Sequence, residues 1–223
     1  MSHCLLGIDA GNTMIKAVLF DSSGQVLSVA GCAGATHQPQ PGYAERPLTD
    51  VWHGVQQAVR DCLAQAGDAA RRVIAVGAAG HGNGLYALDK HQQPLLGIQS
   101  IDMRAAALVS ELEQQGHAAQ IWQRALQKPW PAATPVLLRW LKQHDPARYA
   151  RIGHVLCAKD AINHFLCGAI SADYSDAAGA GLIDYAQRGY SASLMALYGL
   201  EEALPLLPPL HESCAVVGRI TPQ

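Results

Sequence analysis

The sequence predicts an α/β fold built on a mixed sheet, because three strands come first and helices then alternate with further strands. The first three apolar runs, at 4–9, 14–21 and 26–33, are separated only by short turns. Parallel neighbours need a long crossover, so these strands form an antiparallel meander. An amphipathic run at 48–66 and a new apolar run at 73–77 follow. They extend the meander into a mixed sheet, for which we expect helices on both faces.

The turns of this meander are marked by composition. Residues 10–13 are Ala-Gly-Asn-Thr and residues 22–25 are Ser-Ser-Gly-Gln, both of which favour turns. The run at 14–21 is apolar and β-branched, and the run at 26–33 alternates in polarity. The composition therefore predicts the first three strands and the two turns that join them, including the hairpin turn at 10–13.

A helix, a buried strand and a hairpin are predicted next. Apolar residues recur at helical spacing from Leu48 until Gly67 stops the helix. The short apolar run at 73–77 indicates a buried strand. Two apolar runs at 85–89 and 95–99 flank the turn-forming sequence Lys-His-Gln-Gln-Pro, which predicts a β-hairpin.

The second half of the chain predicts helices joined by loops. Pro146 ends one of these helices, because proline lacks a backbone donor. Residues 168–189 are rich in Ala, Gly, Ser and Asp, which suits loops around a site. Prolines at 205, 208 and 209 indicate a linker-like tail. The predicted helices span about 103–115, 118–126, 135–144 and 158–166.

Composition and charge exclude several classes of function. The 223 residues include 16 basic and 18 acidic side chains, which gives a net charge of −2 and a pI near 6.5. Proteins that bind nucleic acids or membrane surfaces through charge are usually basic. No apolar run reaches the ~18–20 residues of a membrane span, and the N-terminus lacks the basic region of a secretory signal. We expect a cytoplasmic protein with no nucleic-acid or membrane partner.

The first hairpin turn carries residue types that suit a phosphate. Gly11, Asn12 and Thr13 follow the acid Asp9, and Lys16 lies early in the next strand. Small turn residues let backbone N–H groups approach a phosphate, and a single carboxylate with substrate phosphates is a common Mg²⁺ site. The alternative is an ordinary hairpin in which Asp9 only forms the turn.

Two common nucleotide motifs are absent. The P-loop pattern does not occur, and the candidate turn joins two strands rather than a strand and a helix. The glycine-rich segment at 80–84 follows a strand, but it opens an apolar run of hairpin type instead of the helix of a dinucleotide fold.

Residues 7–17 resemble the first phosphate motif of the FGGY carbohydrate kinases, in the actin/hexokinase/Hsp70 superfamily. The chain is identified as a member because further family segments follow in order from about residue 4 to about 220. The resemblance implies a ribonuclease-H-like α/β domain, a mixed sheet flanked by helices, and transfer of a phosphoryl group from ATP, with Mg²⁺, to a pentulose or related polyol. The segments are 41–45 with Trp52, 80–85 with 88–89, 100–104, 134–146 with 158–160, and 172–176.

The resemblance also assigns roles at the phosphate turn. Asp9 matches the acid that the family uses for Mg-ATP, so it is the predicted catalytic and metal-binding residue. Gly11, Asn12, Thr13 and Lys16 are predicted to bind the phosphates of ATP. Asn12 departs from the usual Thr, and its amide could replace the missing hydroxyl. Lys16 could alternatively be an exposed strand residue.

The sugar site is predicted from the later segments, and each assignment has a structural alternative. His81 could instead pack in the core, and Asp102 and Arg104 could form an ion pair at a helix start, where Asp102 would suit an N-cap. Trp130 could serve helix packing instead, whereas we expect Trp52, Trp122 and Trp140 in the core. The predicted substrate residues are His81, Gly82, Asn83, Asp102, Arg104 and Trp130.

Within the family, the likeness is greatest to the L-xylulose (3-keto-L-gulonate) kinase branch and to xylulokinase-like members. The features are Ser100 where many relatives carry Trp, residues 128–131, and the run 135–153. Other pentulose, erythritol and glycerol kinases share the framework, so the sugar stays open.

Family members are longer and have two domains. Residues 1–223 match the N-terminal, sugar-binding one, and we expect the nucleotide-binding domain and the general base after 223. A homodimer is a further expectation. The alternatives are a stand-alone sugar-binding or regulatory module and an actin-like ATPase, which would leave Asn83 and Asp102 unexplained.

Overall fold

A computed structural model describes residues 3–221 as strands and helices in the alternating order that the sequence predicts. The strands and helices along the chain are β1 Cys4–Ala10, β2 Met14–Asp21, β3 Val26–Ala33, α1 Leu48–Ala66, β4 Val73–Gly80, β5 Leu85–Asp89, β6 Pro94–Ile98, α2 Ala106–Gln114, α3 His117–Ala125, α4 Thr134–His144, α5 Pro146–Tyr149, β7 Ile152–Leu156, α6 Ala158–Cys167, β8 Ala172–Asp173, α7 Tyr174–Gly179, α8 Ala192–Leu197 and β9 Leu210–His211, with 3-10 helices at Gly67–Arg72 and Glu201–Leu206.

The first sheet is mixed and has the strand order β3-β2-β1-β4. β1 and β3 both pair with β2 in antiparallel register, and β4 pairs with β1 in parallel. The parallel pair requires a long crossover, which α1 provides. The predicted meander and its extension into a mixed sheet are confirmed. The C-terminal ends of β1 and β4 therefore lie side by side, with Ala10 opposite Gly80.

One face of this sheet packs against two helices. Alternate residues of β1 point into a core that α1 and α6 cover. Because strand side chains alternate in direction, the remaining residues of β1 lie on the opposite face. The buried residues that α1 contributes recur at helical spacing: Leu48, Val51, Val55, Ala58 and Cys62.

The opposite face is exposed, which differs from our expectation of helices on both faces. Leu5 is 45% exposed and Val29 is 51% exposed. β4 ends the sheet, and within residues 3–221 no strand pairs with its outer edge, where Ile74 is 62% exposed. A groove of about 1270 Å³ runs along this edge, between β4, α6 and the segment 211–220. Apart from Asp9 and Lys16, the exposed side chains named on this face and edge are apolar.

A second, antiparallel sheet has the order β6-β5-β7 and lies between two cores. Tyr86 and Leu88 of β5 pack into the core beneath the first sheet. Leu85 and Ala87 pack into a second core, formed with helices α2, α3, α4 and α8. Both faces of β5 are therefore packed. This packing fixes the position of the turn at 81–84, which joins the end of β4 to the start of β5.

The structure corrects two of the later predictions. Residues 168–189 are not only loops, because β8 and α7 lie there. The tail is not a linker, because Leu200 and Leu207 are buried in the second core despite the prolines around them. β7 was missed, since five residues between helices give little periodicity.

The predicted helices are confirmed with small shifts at their ends. α2 is the exception, because it begins at Ala106, three residues later than predicted. Trp122 was expected in the core but is 47% exposed, because α3 buries its neighbour Ile121 on another face of the helix. Trp52 and Trp140 do pack against the cores. Among the helices of residues 3–221, none is long and apolar enough to span a bilayer.

Candidate functional site

The hairpin turn after β1 places two opposite charges on the exposed face. Asp9 and Lys16 are cross-strand partners, and both are exposed. The N–H of Gly11 donates to the carbonyl of Met14 at 2.9 Å, which closes the turn. Among the described residues, no hydrogen bond or ion pair engages the Asp9 carboxylate. Asp9 and Lys16 are thus both available to a bound metal or phosphate.

The backbone of this turn also has free donors. The N–H groups of Asn12 and Thr13 have no acceptor among the described residues, whereas the carbonyls of Gly11 and Asn12 are hydrogen-bonded to Arg46. Two consecutive unpaired N–H groups are donors that an anion can use together. Sequence reasoning missed Arg46, which is 1% exposed.

The side chain of Asn12 ties the turn to the end of β6. Its Nδ2 donates to Oγ of Ser100 at 2.8 Å, and its Oδ1 accepts from Nε2 of Gln99 at 3.3 Å. The amide is therefore already engaged, which leaves the backbone rather than the side chain to meet a phosphate. A direct phosphate contact by the Asn12 amide stays a prediction.

A second turn, at residues 81–84, lies against the first. The N–H of His81 donates to the carbonyl of Ala10 at 3.1 Å, which joins the two turns directly. The His81 ring is hydrogen-bonded through Nε2 to the hydroxyl of Tyr86 at 2.8 Å, while its buried Nδ1 has no partner within residues 3–221. Burial lowers the pKa of His81, so the ring is neutral at pH 7.

Asn83 presents an unpaired acceptor in this second turn. Its backbone is left-handed, with φ of 62°, a conformation that asparagine tolerates better than most residues. Its Nδ2 donates to the carbonyl of Gly179 at 3.3 Å, whereas its buried Oδ1 finds no donor in the part of the chain that the structure describes. Gly82 is exposed beside it, and a Cβ there would lie 3.6 Å from Oδ1 of Asp176. Since buried polar atoms are normally paired, a ligand hydroxyl is a fitting donor for Asn83.

The geometry of Asp102 and Arg104 favours the ion-pair alternative. Asp102 is fully buried, and its oxygens accept from the N–H of Ala44 at 2.6 Å and from the N–H and Nε of Arg104, each at 2.9 Å. A further bond from Nη2 of Arg104 at 2.9 Å completes a bidentate pair. Asp102 does not cap α2, whose N-cap is Ala105. The Asp102 oxygens thus already accept from four protein donors.

Arg104 is equally enclosed. Its Nη2 also donates to Oε1 of Glu45 at 2.7 Å, and its guanidinium lies 4.1 Å from the ring centre of Tyr43 and 5.2 Å from that of Trp140. Arg104 therefore joins the segment before α1 to α4. The hydrogen bonds and ring contacts within the protein indicate a supporting role for Asp102 and Arg104. Direct contact of either residue with the sugar stays a prediction.

Trp130 lies in a segment fixed to the Asn83 turn. The N–H of Gly84 donates to the carbonyl of Ala132 at 2.9 Å, and Oγ1 of Thr134 donates to the carbonyl of Gly84 at 2.7 Å. The Trp130 side chain is 38% exposed, and within residues 3–221 no other aromatic ring packs against it. An open aromatic face beside this turn fits the predicted wall of a sugar site.

An ion cluster that sequence reasoning did not assign borders the second turn. Lys159 pairs with Asp160, with Asp173 at 2.9 Å and with Asp176 at 3.3 Å. Burial raises the pKa of Asp160 to about 6. Asp160 and Asp176, with Cys157, are grouped closely enough to hold a metal, but the Lys159 ammonium already supplies the counter-charge. The Lys-Asp pair at 159–160 was visible in the sequence, but nothing there showed that distant aspartates join it.

Comparisons with known proteins identify the family of this chain. A profile of the FGGY family of carbohydrate kinases, N-terminal domain, matches residues 4–223. A probable L-xylulose kinase of Pasteurella multocida is 32% identical over 219 residues, which cover 98% of this chain and 45% of the relative. The L-xylulose/3-keto-L-gulonate kinase of Escherichia coli is 32% identical over 100% of this chain and 45% of its own length. The chain thus spans less than half the length of these curated relatives.

Solved structures share the fold. The crystal structure of xylulose kinase from Rhodospirillum rubrum superposes with a TM-score of 0.91 at 27% identity, over 98% of this chain and 45% of that one. Its likeness extends over both sheets and both cores, and it confirms the predicted α/β fold with a mixed sheet and flanking helices.

Proposed function

The chain belongs to the FGGY family of carbohydrate kinases, and from this premise we propose that it forms the sugar-binding half of an enzyme that phosphorylates a pentulose or related polyol with ATP. The observation that carries the proposal is that the turns at 10–13 and 81–84 lie side by side and offer different unpaired polar groups. One offers the Asp9 carboxylate and two backbone N–H groups. The other offers the unpaired Oδ1 of Asn83. A phosphate and a sugar hydroxyl would therefore meet at neighbouring positions.

The first turn fits the phosphates of ATP and a magnesium ion. The free Asp9 carboxylate would hold Mg²⁺ through its water shell, as carboxylates commonly do. The N–H groups of Asn12 and Thr13, with the Lys16 ammonium, would bind phosphate oxygens. When bound, Mg²⁺ neutralises charge on the transferred phosphoryl group. The protein's part is to position these charges before the substrate arrives.

The second turn would orient the sugar. Oδ1 of Asn83 accepts a hydrogen bond from one hydroxyl, and exposed Gly82 leaves space for the sugar beside it. Trp130 would cover an apolar sugar face and exclude water, which competes as the phosphoryl acceptor. His81 is neutral, so its ring can serve as a hydrogen-bond partner without adding charge. These groups bind and orient, and none of them is assigned as the base.

We further propose that the chain works as the N-terminal half of a longer, two-domain kinase. The curated relatives are more than twice its length. The exposed apolar face of the first sheet and the free edge of β4 favour a covering segment that follows residue 223, because such surfaces are rarely left open. That part of the protein would supply the general base and most nucleotide contacts. A cytoplasmic location, the lack of a nucleic-acid partner and a homodimer stay predictions.

The 223-residue chain alone is expected to show no sugar-dependent ADP release above background. Loss of a general base costs roughly 10²–10⁴-fold in rate, and the loss of nucleotide contacts adds to this. The measurement is a coupled ADP assay with MgATP and a panel of ketoses and polyols. The longer protein read through beyond residue 223 should turn over with at least one of them.

Two outcomes would count against this proposal. If the 223-residue chain alone released ADP with a sugar at ordinary kinase rates, it would not need a further domain for activity. If the longer protein binds a sugar but transfers no phosphoryl group to any member of the panel, the chain is a sugar-binding module rather than part of a kinase.

A further inference from the structure

Arg46 is a buried cation that forms no ion pair with an acid of the described residues. It precedes α1 and is 1% exposed. The charge of Asp50 acts on the guanidinium without a direct contact, and burial outweighs it, so the pKa of Arg46 is lowered. A buried charge without a paired counter-ion is costly. The position of Arg46 therefore needs a reason beyond packing.

The guanidinium of Arg46 is bound entirely to backbone carbonyls. Nε donates to the carbonyl of Ala35 at 2.6 Å, and Nη1 donates to that of Gly11 at 3.0 Å. Nη2 donates to the carbonyl of Asn12. Gly34 makes room for the group, since a Cβ there would lie 2.6 Å from Cζ of Arg46. Arg46 thus holds two successive carbonyls of the phosphate turn.

The planar peptide bond fixes the direction of the N–H groups on the other side of the turn. In a trans peptide the C=O and the next N–H point in opposite directions. With the carbonyls of Gly11 and Asn12 drawn toward Arg46, the N–H groups of Asn12 and Thr13 point away from it. These are the same N–H groups that lack an acceptor among the described residues.

We propose that Arg46 is a positioning residue for phosphate recognition: its guanidinium turns the N–H groups of Asn12 and Thr13 outward, and its charge attracts the phosphates. The inference rests on the proposed function, because it takes the first turn as the phosphate site. A polyanion bound there would add a counter-charge to that of Asp50, which makes no direct contact with Arg46. Lysine cannot replace this arrangement, because one ammonium lacks the planar fork that reaches several carbonyls at once.

The test is an NMR titration of the ¹⁵N-labelled chain with inorganic pyrophosphate. The variants are Arg46→Met, Arg46→Lys and Gly34→Ala, which keeps the arginine but obstructs its guanidinium. The control is Arg71→Met, which removes an exposed charge before β4, at the opposite end of that strand from the turn. Thermal unfolding reports whether each variant is folded at the titration temperature.

In the wild type, pyrophosphate should shift the Asn12 and Thr13 amide resonances. Arg46→Met should weaken pyrophosphate binding by at least ~10-fold, as expected for lost interactions with a charged group. Arg46→Lys and Gly34→Ala should fall between it and the wild type, and Arg71→Met should match the wild type. Without ligand, the same two amides should already change in Arg46→Met, because their orientation is lost.

The outcomes separate this inference from the proposed function. If the wild type responds and folded Arg46→Lys or Gly34→Ala binds with unchanged affinity and unchanged amide shifts, Arg46 is only structural and the inference fails alone. If the wild type shows no response at the turn, the phosphate assignment fails, and the inference falls with it. Unchanged amides in ligand-free Arg46→Met would contradict the positioning role whatever pyrophosphate does.

Discussion

Replacing Asp102 with alanine is expected to destabilise the chain by about 3–5 kcal/mol, the usual cost of breaking a buried ion pair. The change leaves the Arg104 guanidinium without its bidentate partner and the N–H of Ala44 without an acceptor. For a domain of this size the melting temperature should fall by roughly 6–20 °C. Chemical denaturation gives the free energy of unfolding, and thermal unfolding gives the melting temperature.

The matched control is Asp68→Ala, because Asp68 is an exposed aspartate in the 3-10 helix before β4. Surface substitutions of this kind usually change stability by less than about 0.5 kcal/mol. The supporting role assigned to Asp102 would be wrong if Asp102→Ala unfolded like the control while sugar affinity was lost. That pattern would restore Asp102 as a direct sugar contact.

Replacing Asp9 with asparagine is expected to lower kcat of the proposed phosphoryl transfer by the longer protein by about 100-fold or more, with sugar affinity within about twofold of the wild type. A metal-held charge at the reacting phosphate is worth several kcal/mol, and each 1.36 kcal/mol is about tenfold in rate. The carboxylate lies on the phosphate turn and not on the Asn83 turn. Steady-state kinetics give the rate, and calorimetry gives the sugar affinity.

Asp68→Asn serves as the control for removing one exposed carboxylate, since Asp68 lies at the opposite end of β4 from the site. A loss of rate in both variants would indicate a general charge effect. If Asp9→Asn kept its rate and lost sugar affinity, Asp9 would belong to the sugar site, and the two turns would have been assigned the wrong way round.

The helices and strands that the sequence predicts well are those whose buried residues recur at a regular spacing. α1 buries one stripe of a long helix, and β1 and β2 each bury alternate residues. The turn residues that connect them are also local signals. The phosphate turn and the Asn83 turn were therefore both located from sequence. β7 was missed because five residues are too few to show a period.

Sequence could not predict contacts that depend on distant segments. Arg46 reaches the phosphate turn only because the segment before α1 folds back against it, so its role has no local signal. Asp102 was predicted as a sugar ligand, since a carboxylate beyond a strand suits either binding or an ion pair. Only the structure shows that Ala44 and Arg104 occupy its oxygens. A carboxylate in the sequence predicts hydrogen bonding or ion pairing, but the fold determines which groups lie close enough to be its partners.

The most direct test of the proposed site is calorimetry of a panel of ketoses with the 223-residue chain, followed by the best-binding ketose with Asn83→Gly. Glycine removes the amide and tolerates the left-handed backbone at this position, with φ of 62°, so backbone strain does not add to the result. Losing a hydrogen bond to a buried oxygen costs about 1–3 kcal/mol, and we predict a roughly 5- to 150-fold weaker affinity in a folded variant. Asn83→Asp, which keeps an acceptor oxygen, should lose less. Equal affinity in the wild type and Asn83→Gly, or no binding of any ketose by the wild type, would contradict the proposed sugar site.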